Sequence, residues 1–164
     1  MAGKSKAKRR SGCPISISLE TLGDRWSLLI IRDLMVRGLR TFKDFLQSGE
    51  GIATNVLADR LRKLEASGII TAEAEGSDRR RVNYQLTEKG IDLAPVVLEL
   101  LIWGARHEQT AAPCSLIEQM ARQREHVLAE VRRCWQERDQ CPFLPKFSGD
   151  NQSAQRSSIL RDHK

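Results

Sequence analysis

The segment from Ile52 to Gly68 constrains this 164-residue chain more than any other, because it combines a helical repeat of leucines with a polar opposite side. Leucines stand at positions 57, 61 and 64, a spacing that places them on one face of an α-helix. Thr54 is a suitable N-cap, and Gly68 stands where a glycine commonly ends a helix. The opposite face is polar and mostly basic: Asn55, Asp59, Arg60, Arg62 and Lys63. Such a helix fits the DNA major groove, although an ordinary solvated helix face has the same pattern.

The segments before this helix favour DNA binding. Pro14 suits the first position of one helix, and an apolar stripe predicts a second helix that ends near Gly38. Thr41, with Asp44 three residues later, predicts a capped third helix. A glycine-containing turn joins this third helix to the leucine-backed helix, and two helices joined in this way form a helix-turn-helix.

After Gly68 the hydrophobic period changes from that of a helix to that of a strand. Residues 69–74 are rich in strand formers, a polar turn follows, and residues 82–86 alternate between apolar and polar. The pattern predicts a β-hairpin, or wing, whose tip carries three arginines: Arg79, Arg80 and Arg81. Arginine is well shaped to hold phosphate or to enter a narrow minor groove. A hairpin tip is polar in most proteins, but here the tip and the helix front share a positive sign, which favours DNA contact.

Two further apolar helices are predicted after the wing. Thr87 caps a helix that is apolar nearly all round, and Pro95 inside it predicts a kink or a late start. Ser115, with Glu118 three residues later, predicts a capping box at the start of a last helix with its own apolar stripe. A monomer core could use that stripe, but a small winged helix cannot cover both helices, so we expect a dimer. The residues expected at its interface are Leu100, Trp103, Leu128 and Val131.

Charge and composition limit the partners and the compartment. The net charge of +6 favours an acidic partner, nucleic acid before a membrane, and no stretch is apolar enough to span a bilayer. Residues 1–12 are a basic tail that either contacts phosphates or only aids solubility, and residues 141–164 are a polar tail; we expect both to be disordered. The absence of a secretory signal and of a Cys-x-x-Cys pair predicts a cytoplasmic protein with free thiols.

From about Cys13 to His107 the motifs resemble, in continuous order, the HxlR family of bacterial transcriptional regulators, which are relatives of MarR-type winged helices. They read C-P-I-S-I-S-L-E-T-L-G-D-R-W-S-L-L-I-I-R-D-L, R-T-F-K-D-F, G-I-A-T-N-V-L-A-D-R-L-R-K-L-E-A-S-G-I-I and R-V-N-Y-Q-L-T-E-K-G. The expected fold is therefore mainly α with a small β-hairpin wing: a winged helix-turn-helix with flanking dimerisation helices. We expect residues 13–110 to form the DNA-binding domain and residues 111–140 to form a C-terminal dimerisation helix.

The resemblance also implies roles for individual residues. It implies a homodimer on operator DNA, with an interface built from the first and last helices. The residues implied to read bases are Thr54, Asn55, Asp59, Arg60 and Lys63. Those implied to contact the DNA backbone are Arg40, Thr41 and Lys43, and those implied to make wing contacts are Arg79, Arg80 and Arg81. The cysteine before the proline, here Cys13, senses oxidants or electrophiles in some members.

Cys13 has two interpretations from the residues alone. A helix N-terminus near Arg9 and Arg10 would stabilise a reactive thiolate, but a cysteine is also a common small buried hydrophobe. The resemblance favours the sensor. Cys134 falls on an apolar stripe and is expected in the core.

No enzyme motif or zinc spacing is present, so we expect no metal, no cofactor and no catalysis. The predicted function is a homodimeric, sequence-specific DNA-binding repressor, with a winged-helix adaptor that binds protein as the alternative.

Overall fold

The computed structural model describes residues 11–75 and 78–138, and it gives no side-chain description for residues 75–81. Both predicted tails lie outside these ranges, apart from residues 11 and 12. The described residues form eight α-helices, one π-helical turn and a two-stranded antiparallel hairpin. In chain order they are α1 (Pro14–Leu22), α2 (Arg25–Arg32), the π-helical turn (Asp33–Arg37), α3 (Phe42–Leu46), α4 (Thr54–Ala66), β1 (Ile70–Glu75), β2 (Asp78–Leu86), α5 (Glu88–Ile91), α6 (Ala94–His107), α7 (Cys114–Arg122) and α8 (Arg124–Glu137). This confirms the predicted winged-helix fold class.

The leucine stripe of α4 forms the centre of the core. Leu57, Leu61 and Leu64 are buried and belong to one cluster with the buried side chains of α2, α3 and the hairpin. Full burial of a leucine side chain contributes roughly 1.5–3 kcal/mol, so these three side chains hold α4 firmly with its polar side outward. Gly68 has a φ of +68°, which confirms the predicted glycine at the end of this helix.

The two helices of the helix-turn-helix, α3 and α4, begin in different ways. For α3 the predicted cap is confirmed: Thr41 Oγ1 accepts from the Asp44 N–H at 3.2 Å, and Asp44 Oδ2 accepts from the Thr41 N–H at 2.9 Å. For α4 the predicted cap at Thr54 is wrong, because the N-cap is Ala53 and no side chain caps the helix. Ala53 has extended backbone (φ −73°, ψ 144°), and the backbone of Thr54 is already helical.

The base of the wing is tied to the helix-turn-helix. In the hairpin Ile70 pairs with Leu86 and Ala72 pairs with Tyr84. The Tyr84 N–H donates to the Arg40 carbonyl at 2.7 Å, next to an isolated bridge between residues 41 and 83. These bonds fix the wing relative to the loop that precedes α3.

The predicted break at Pro95 is confirmed as a late start, because α5 ends at Ile91 and Pro95 lies in the first turn of α6. Thr87 Oγ1 accepts from the Gly90 N–H at 3.1 Å, which confirms the predicted cap. Gly90 is a close approach: a Cβ there would lie 2.2 Å from the Ile69 carbonyl oxygen.

The C-terminal helices depart most from the sequence prediction. The predicted capping box at Ser115 is wrong: α7 begins at Cys114 without a side-chain cap, and Glu118 instead accepts from Arg106 of α6 at 2.9 Å and 3.1 Å. The single predicted helix is also wrong, because the backbone leaves the helical region at Gln123 (φ −111°, ψ 35°) and separates α7 from α8.

The second of these helices, α8, packs against its own chain. Val131 is 4% exposed in the chain's own core, Leu128 is half-buried, and the Trp135 indole donates to the Leu86 carbonyl at 2.9 Å. The assignment of Val131 to a dimer interface is therefore wrong, since the intrachain fold already buries it. Cys134 is buried, as predicted.

Candidate nucleic-acid interface

The polar front of α4 is a firmly supported surface. Asn55 and Lys63 are exposed on the side away from the buried leucines, and Thr54 is exposed in the first turn of the helix. Since α4 has no side-chain cap, the N–H groups of its first turn are also open to an acceptor such as a phosphate oxygen. The front therefore offers an amide, a hydroxyl, an ammonium group and backbone donors to a nucleic acid.

Arg60 does not belong to this front. Its side chain is 25% exposed, and its Nε lies 3.2 Å from Asp24 Oδ1. That Nε is buried, and its geometry makes no hydrogen bond, so the contact is an ion pair. Asp24 is the N-cap of α2 and accepts from the N–H groups of Trp26 and Ser27. The prediction that Arg60 faces outward is wrong: it links α4 to the start of α2.

The sequence carried a signal for this position. Residue 60 lies three positions after Leu57 and four before Leu64, so it falls on the flank of the buried stripe rather than opposite it. An arginine there can bury its stem and must find an anionic partner. Asp24, between the first two helices, supplies it.

Asp59 organises the basic residues beside it. Its carboxylate lies 2.9 Å from Lys63 Nζ and 3.5 Å from Arg62 NH2. The hydrogen bond from Lys63 holds the pKa of Asp59 below its ordinary value, so the carboxylate is ionised at neutral pH. An ionised carboxylate can accept from a cytosine amino group, and here it also holds the ammonium group of Lys63.

The three residues expected to contact the DNA backbone differ in exposure. The Arg40 guanidinium is half-buried and donates to the Leu34 carbonyl at 3.0 Å, and burial lowers the pKa of Arg40 from its ordinary value. The Thr41 hydroxyl is occupied by its cap. The structure thus gives both residues a role in holding the fold, while Lys43 is exposed and available to a phosphate.

A buried ion-pair network, absent from the sequence prediction, holds the turn before α4. Asp33 is 2% exposed and accepts from Arg32 at 2.7 Å and 2.9 Å. Burial raises the pKa of Asp33, against the charges of Arg32 and Arg37. Arg32 also donates to Glu50 at 2.8 Å, and Arg37 donates to the Ser48 carbonyl at 3.1 Å. The only sequence signal was an acidic residue between two arginines on an apolar helix.

The wing arginines Arg79, Arg80 and Arg81 have backbones in β2, but their side chains lie outside the described part of the structure. Their contact with DNA stays a prediction. The wing on which they stand is fixed at its base by the bonds to the loop before α3.

Cys13 is exposed at the start of α1, so its interpretation as a buried hydrophobe is wrong. Its carbonyl accepts from the Ile17 N–H at 3.0 Å, and Pro14 occupies the first turn as predicted. Arg9 and Arg10 lie outside the described residues. Five large apolar side chains are also exposed, two on α1 and three on α6: Ile15, Leu19, Val96, Leu100 and Trp103.

A sequence model of the family described as HxlR-like helix-turn-helix matches residues 21–112, more than half of the chain. The chain belongs to the HxlR-like helix-turn-helix family. The match runs from the end of α1 to the residues just before α7, so the two last helices lie beyond it. The HxlR-like chain is thus a transcriptional regulator with a helix-turn-helix domain.

Curated relatives carry the same description. The chain is 34% identical over 95 residues to the uncharacterized HTH-type transcriptional regulator YybR of Bacillus subtilis, which covers 58% of this chain and 75% of the relative. It is 35% identical over 106 residues to the uncharacterized HTH-type transcriptional regulator sll1512 of Synechocystis. This match covers 64% of this chain and 78% of the relative.

Solved structures share the fold. PA1607, a candidate transcription factor, has a TM-score of 0.56 at 36% identity and covers 64% of this chain and 72% of its own. The redox regulator HypR in its oxidised form has a TM-score of 0.53 at 29% identity, with 60% and 100% covered. A candidate MarR-family regulator from Porphyromonas gingivalis has a TM-score of 0.54 at 25% identity, with 62% and 99% covered.

The described residues offer neither a membrane span nor a cluster of metal ligands. No described helix has the length and hydropathy needed to cross a membrane. Within the same residues, no three His, Cys, Asp or Glu side chains are grouped closely enough to hold a metal ion.

Proposed function

We propose that the HxlR-like chain acts as a homodimeric repressor that reads operator DNA with the exposed front of α4 and responds to oxidants or electrophiles through Cys13. The observation that carries this proposal concerns α4, a helix of the helix-turn-helix. Its leucines are buried in the core, and its amide, hydroxyl and ammonium groups are exposed. Asparagine pairs well with adenine in the major groove, and lysine with guanine or with phosphate. Repression then requires only that the bound dimer cover a promoter.

The exposed apolar side chains of α1 and α6 support the homodimer. Leu19 is 58% exposed and Trp103 is 56% exposed, and on α6 the exposed Val96, Leu100 and Trp103 follow a helical spacing that gives one apolar stripe, a feature typical of interaction surfaces. A two-fold axis through these helices would place two α4 helices on successive major grooves, about 34 Å apart or a multiple of that. A near-palindromic operator follows from this arrangement.

Cys13 is well placed to affect that interface. It is exposed at the start of the helix that carries Ile15 and Leu19, so a disulfide with a second thiol, formed as an oxidant such as diamide takes up the two electrons and two protons, or an adduct with an electrophile, changes the surface of α1. The next residues along the chain lead to Asp24, which pairs with Arg60 of α4. HypR, a redox regulator by its name, shares the fold, which also supports a redox role.

Mapping the genomic sites that the protein occupies, followed by gel shifts on those fragments, tests DNA binding. Affinity should fall steeply with salt, because binding releases counterions from phosphates. Binding to protein but to no DNA fragment would favour the adaptor instead. Reporter expression should rise when the gene is deleted, and a fall would make the protein an activator.

Treatment with diamide tests the sensor. We expect it to lower operator affinity in the wild type, and we expect Cys13→Ser to keep reduced-state binding while losing the response. Cys114→Ser is the matched control, because Cys114 is also an exposed thiol at the start of a helix. A wild-type response in Cys13→Ser would remove Cys13 from the mechanism.

A further inference from the structure

An apolar cavity of about 410 Å³ lies between α2, the π-helical turn, α6 and α8. Its volume falls in the range of roughly 300–1,000 Å³ that is usual for small-molecule sites. The lining is aliphatic, apart from three arginines, and includes Leu28, Leu29, Val97, Leu101, Val127 and Val131. The last two belong to α8, so one wall of the cavity lies outside the residues that match the HxlR family.

The charge of the lining is one-sided. Arg25, Arg32 and Arg37 contribute to it, and no acidic residue does. Arg32 and Arg37 both pair with the buried Asp33. Arg25 makes no ion pair within the described residues; it is exposed and stacks on Trp26, with its guanidinium carbon 4.3 Å from the ring centroid. Among the three lining arginines, Arg25 is therefore the one without an acidic partner in the described part of the chain.

We propose that this cavity binds a small amphipathic anion, a carboxylate with an aliphatic body. The body replaces water against the leucines and valines, which is favourable because it removes apolar surface from water on both sides. The carboxylate pairs with Arg25, whose planar fork of N–H donors matches two carboxylate oxygens. A neutral ligand of the same shape lacks the ion pair with Arg25. A cationic ligand is repelled by the three arginines of the lining.

Occupancy of the cavity would also affect the turn before α4, and this step rests on the proposed DNA-binding function. Arg32 NH2 donates to Asp33 at 2.7 Å and to Glu50 at 2.8 Å, and Glu50 lies between α3 and α4. Arg32 also lines the cavity, so a carboxylate bound there adds a third anionic group near a guanidinium that already holds Asp33 and Glu50. In a protein with one arrangement that binds DNA and another that does not, the ligand changes DNA affinity only if it binds these two arrangements with different affinities.

Isothermal titration calorimetry of the full-length protein with decanoate, and separately with 1-decanol, tests the binding site without DNA. The two probes share an aliphatic chain and differ in charge. We expect saturable binding of one decanoate per chain, with decanol at least about tenfold weaker. Arg25→Gln should weaken decanoate roughly three- to tenfold, since the guanidinium is exposed and screened, and should leave decanol unchanged.

Matched variants complete the test. Arg122→Gln, an exposed arginine of α7 away from the cavity, should bind decanoate like the wild type. Val97→Phe should fill the cavity and abolish binding of both probes, with circular dichroism checking the fold. Because Arg25 is exposed, its substitution leaves the core intact and keeps the proposal testable even if Val97→Phe unfolds.

Three results would overturn the proposal: no decanoate binding, equal affinity for the two probes, or wild-type decanoate affinity in Arg25→Gln. If decanoate does not bind and light scattering shows that Val97→Phe has a lower mass than the wild type, the variant has lost its dimer. The cavity would then be occupied by a second copy of the chain. Failure of the calorimetry leaves the proposed DNA binding intact, and failure of the gel shifts leaves the cavity intact, so the two proposals fail separately.

Discussion

The pair formed by Arg60 and Asp24 distinguishes two roles for an arginine on α4. If Arg60 holds the helix in place, breaking the pair lowers the free energy of unfolding; if it reads bases, only DNA affinity falls. Asp24→Asn removes the charge and keeps an oxygen that can cap the N–H groups of Trp26 and Ser27. Arg60→Gln removes the other charge, and the double variant completes a thermodynamic cycle.

The magnitude follows from the exposure of the pair. The two side chains are 25% and 27% exposed, so the ion pair is partly screened, and we expect a coupling of about 0.5–1 kcal/mol. Asp24→Ala also removes the N-cap, which adds about 1 kcal/mol for a total of about 1.5–2 kcal/mol. Each kcal/mol lowers the melting temperature by about 2–8 °C in domains of this size range.

Urea denaturation followed by circular dichroism measures these values, with an unchanged m-value as the check on two-state unfolding. Arg62→Gln is the control on the same helix, because Arg62 is 74% exposed and should change stability by less than about 0.5 kcal/mol. A coupling below about 0.2 kcal/mol, with a large loss of operator affinity in Arg60→Gln, would refute the positioning role and restore the reading role.

Three further outcomes are expected. Replacing Arg79 and Arg80 with Ala should weaken binding to all DNA sequences alike and flatten the plot of log affinity against log salt by about one for each phosphate that the variant no longer binds; an unchanged slope would remove the wing tip from the interface. Leu100→Asp with Trp103→Asp should give monomers in light scattering, since both side chains are exposed on α6, and a dimer of the double variant would move the interface elsewhere. Asp44→Ala should cost about 1 kcal/mol at pH 7 through loss of the cap. Burial raises the pKa of Asp44, but the N–H groups of Thr41 and Arg40 and the Thr41 hydroxyl outweigh it, so the pKa is lowered. The stabilisation is therefore fully present above the ordinary pKa of about 4 and is lost progressively as the pH falls through the lower pKa of the folded state, so denaturation should show a smaller difference between variant and wild type at pH 3 than at pH 7.

Local signals in the sequence predicted the fold well. The cap at Thr41, the terminating Gly68 and the break at Pro95 each depend on a few neighbouring residues, and the structure has all three. The spacing of the leucines in α4 predicted its buried side correctly, because residues three or four positions apart lie on the same face of a helix.

The residues that the sequence misplaced depend on tertiary contacts. Arg60 turns inward because Asp24, far away in the chain, supplies its partner. Arg40 is half-buried because a carbonyl of the π-helical turn accepts from it. Val131 lies in the core of its own chain because the break at Gln123 lets α8 fold back. Single-residue patterns carry no information on which distant element will meet such side chains.

Footprinting on a genomic site bound by the protein measures whether the front of α4 reads specific DNA. The wild type should protect two half-sites whose centres lie about 34 Å apart or a multiple of that. Asn55→Ala should lose about 1–3 kcal/mol of specific binding while its melting temperature stays unchanged, because the Asn55 side chain is exposed. If Asn55→Ala and Lys63→Ala are both folded and both protect the site as fully as the wild type, α4 does not read the DNA sequence.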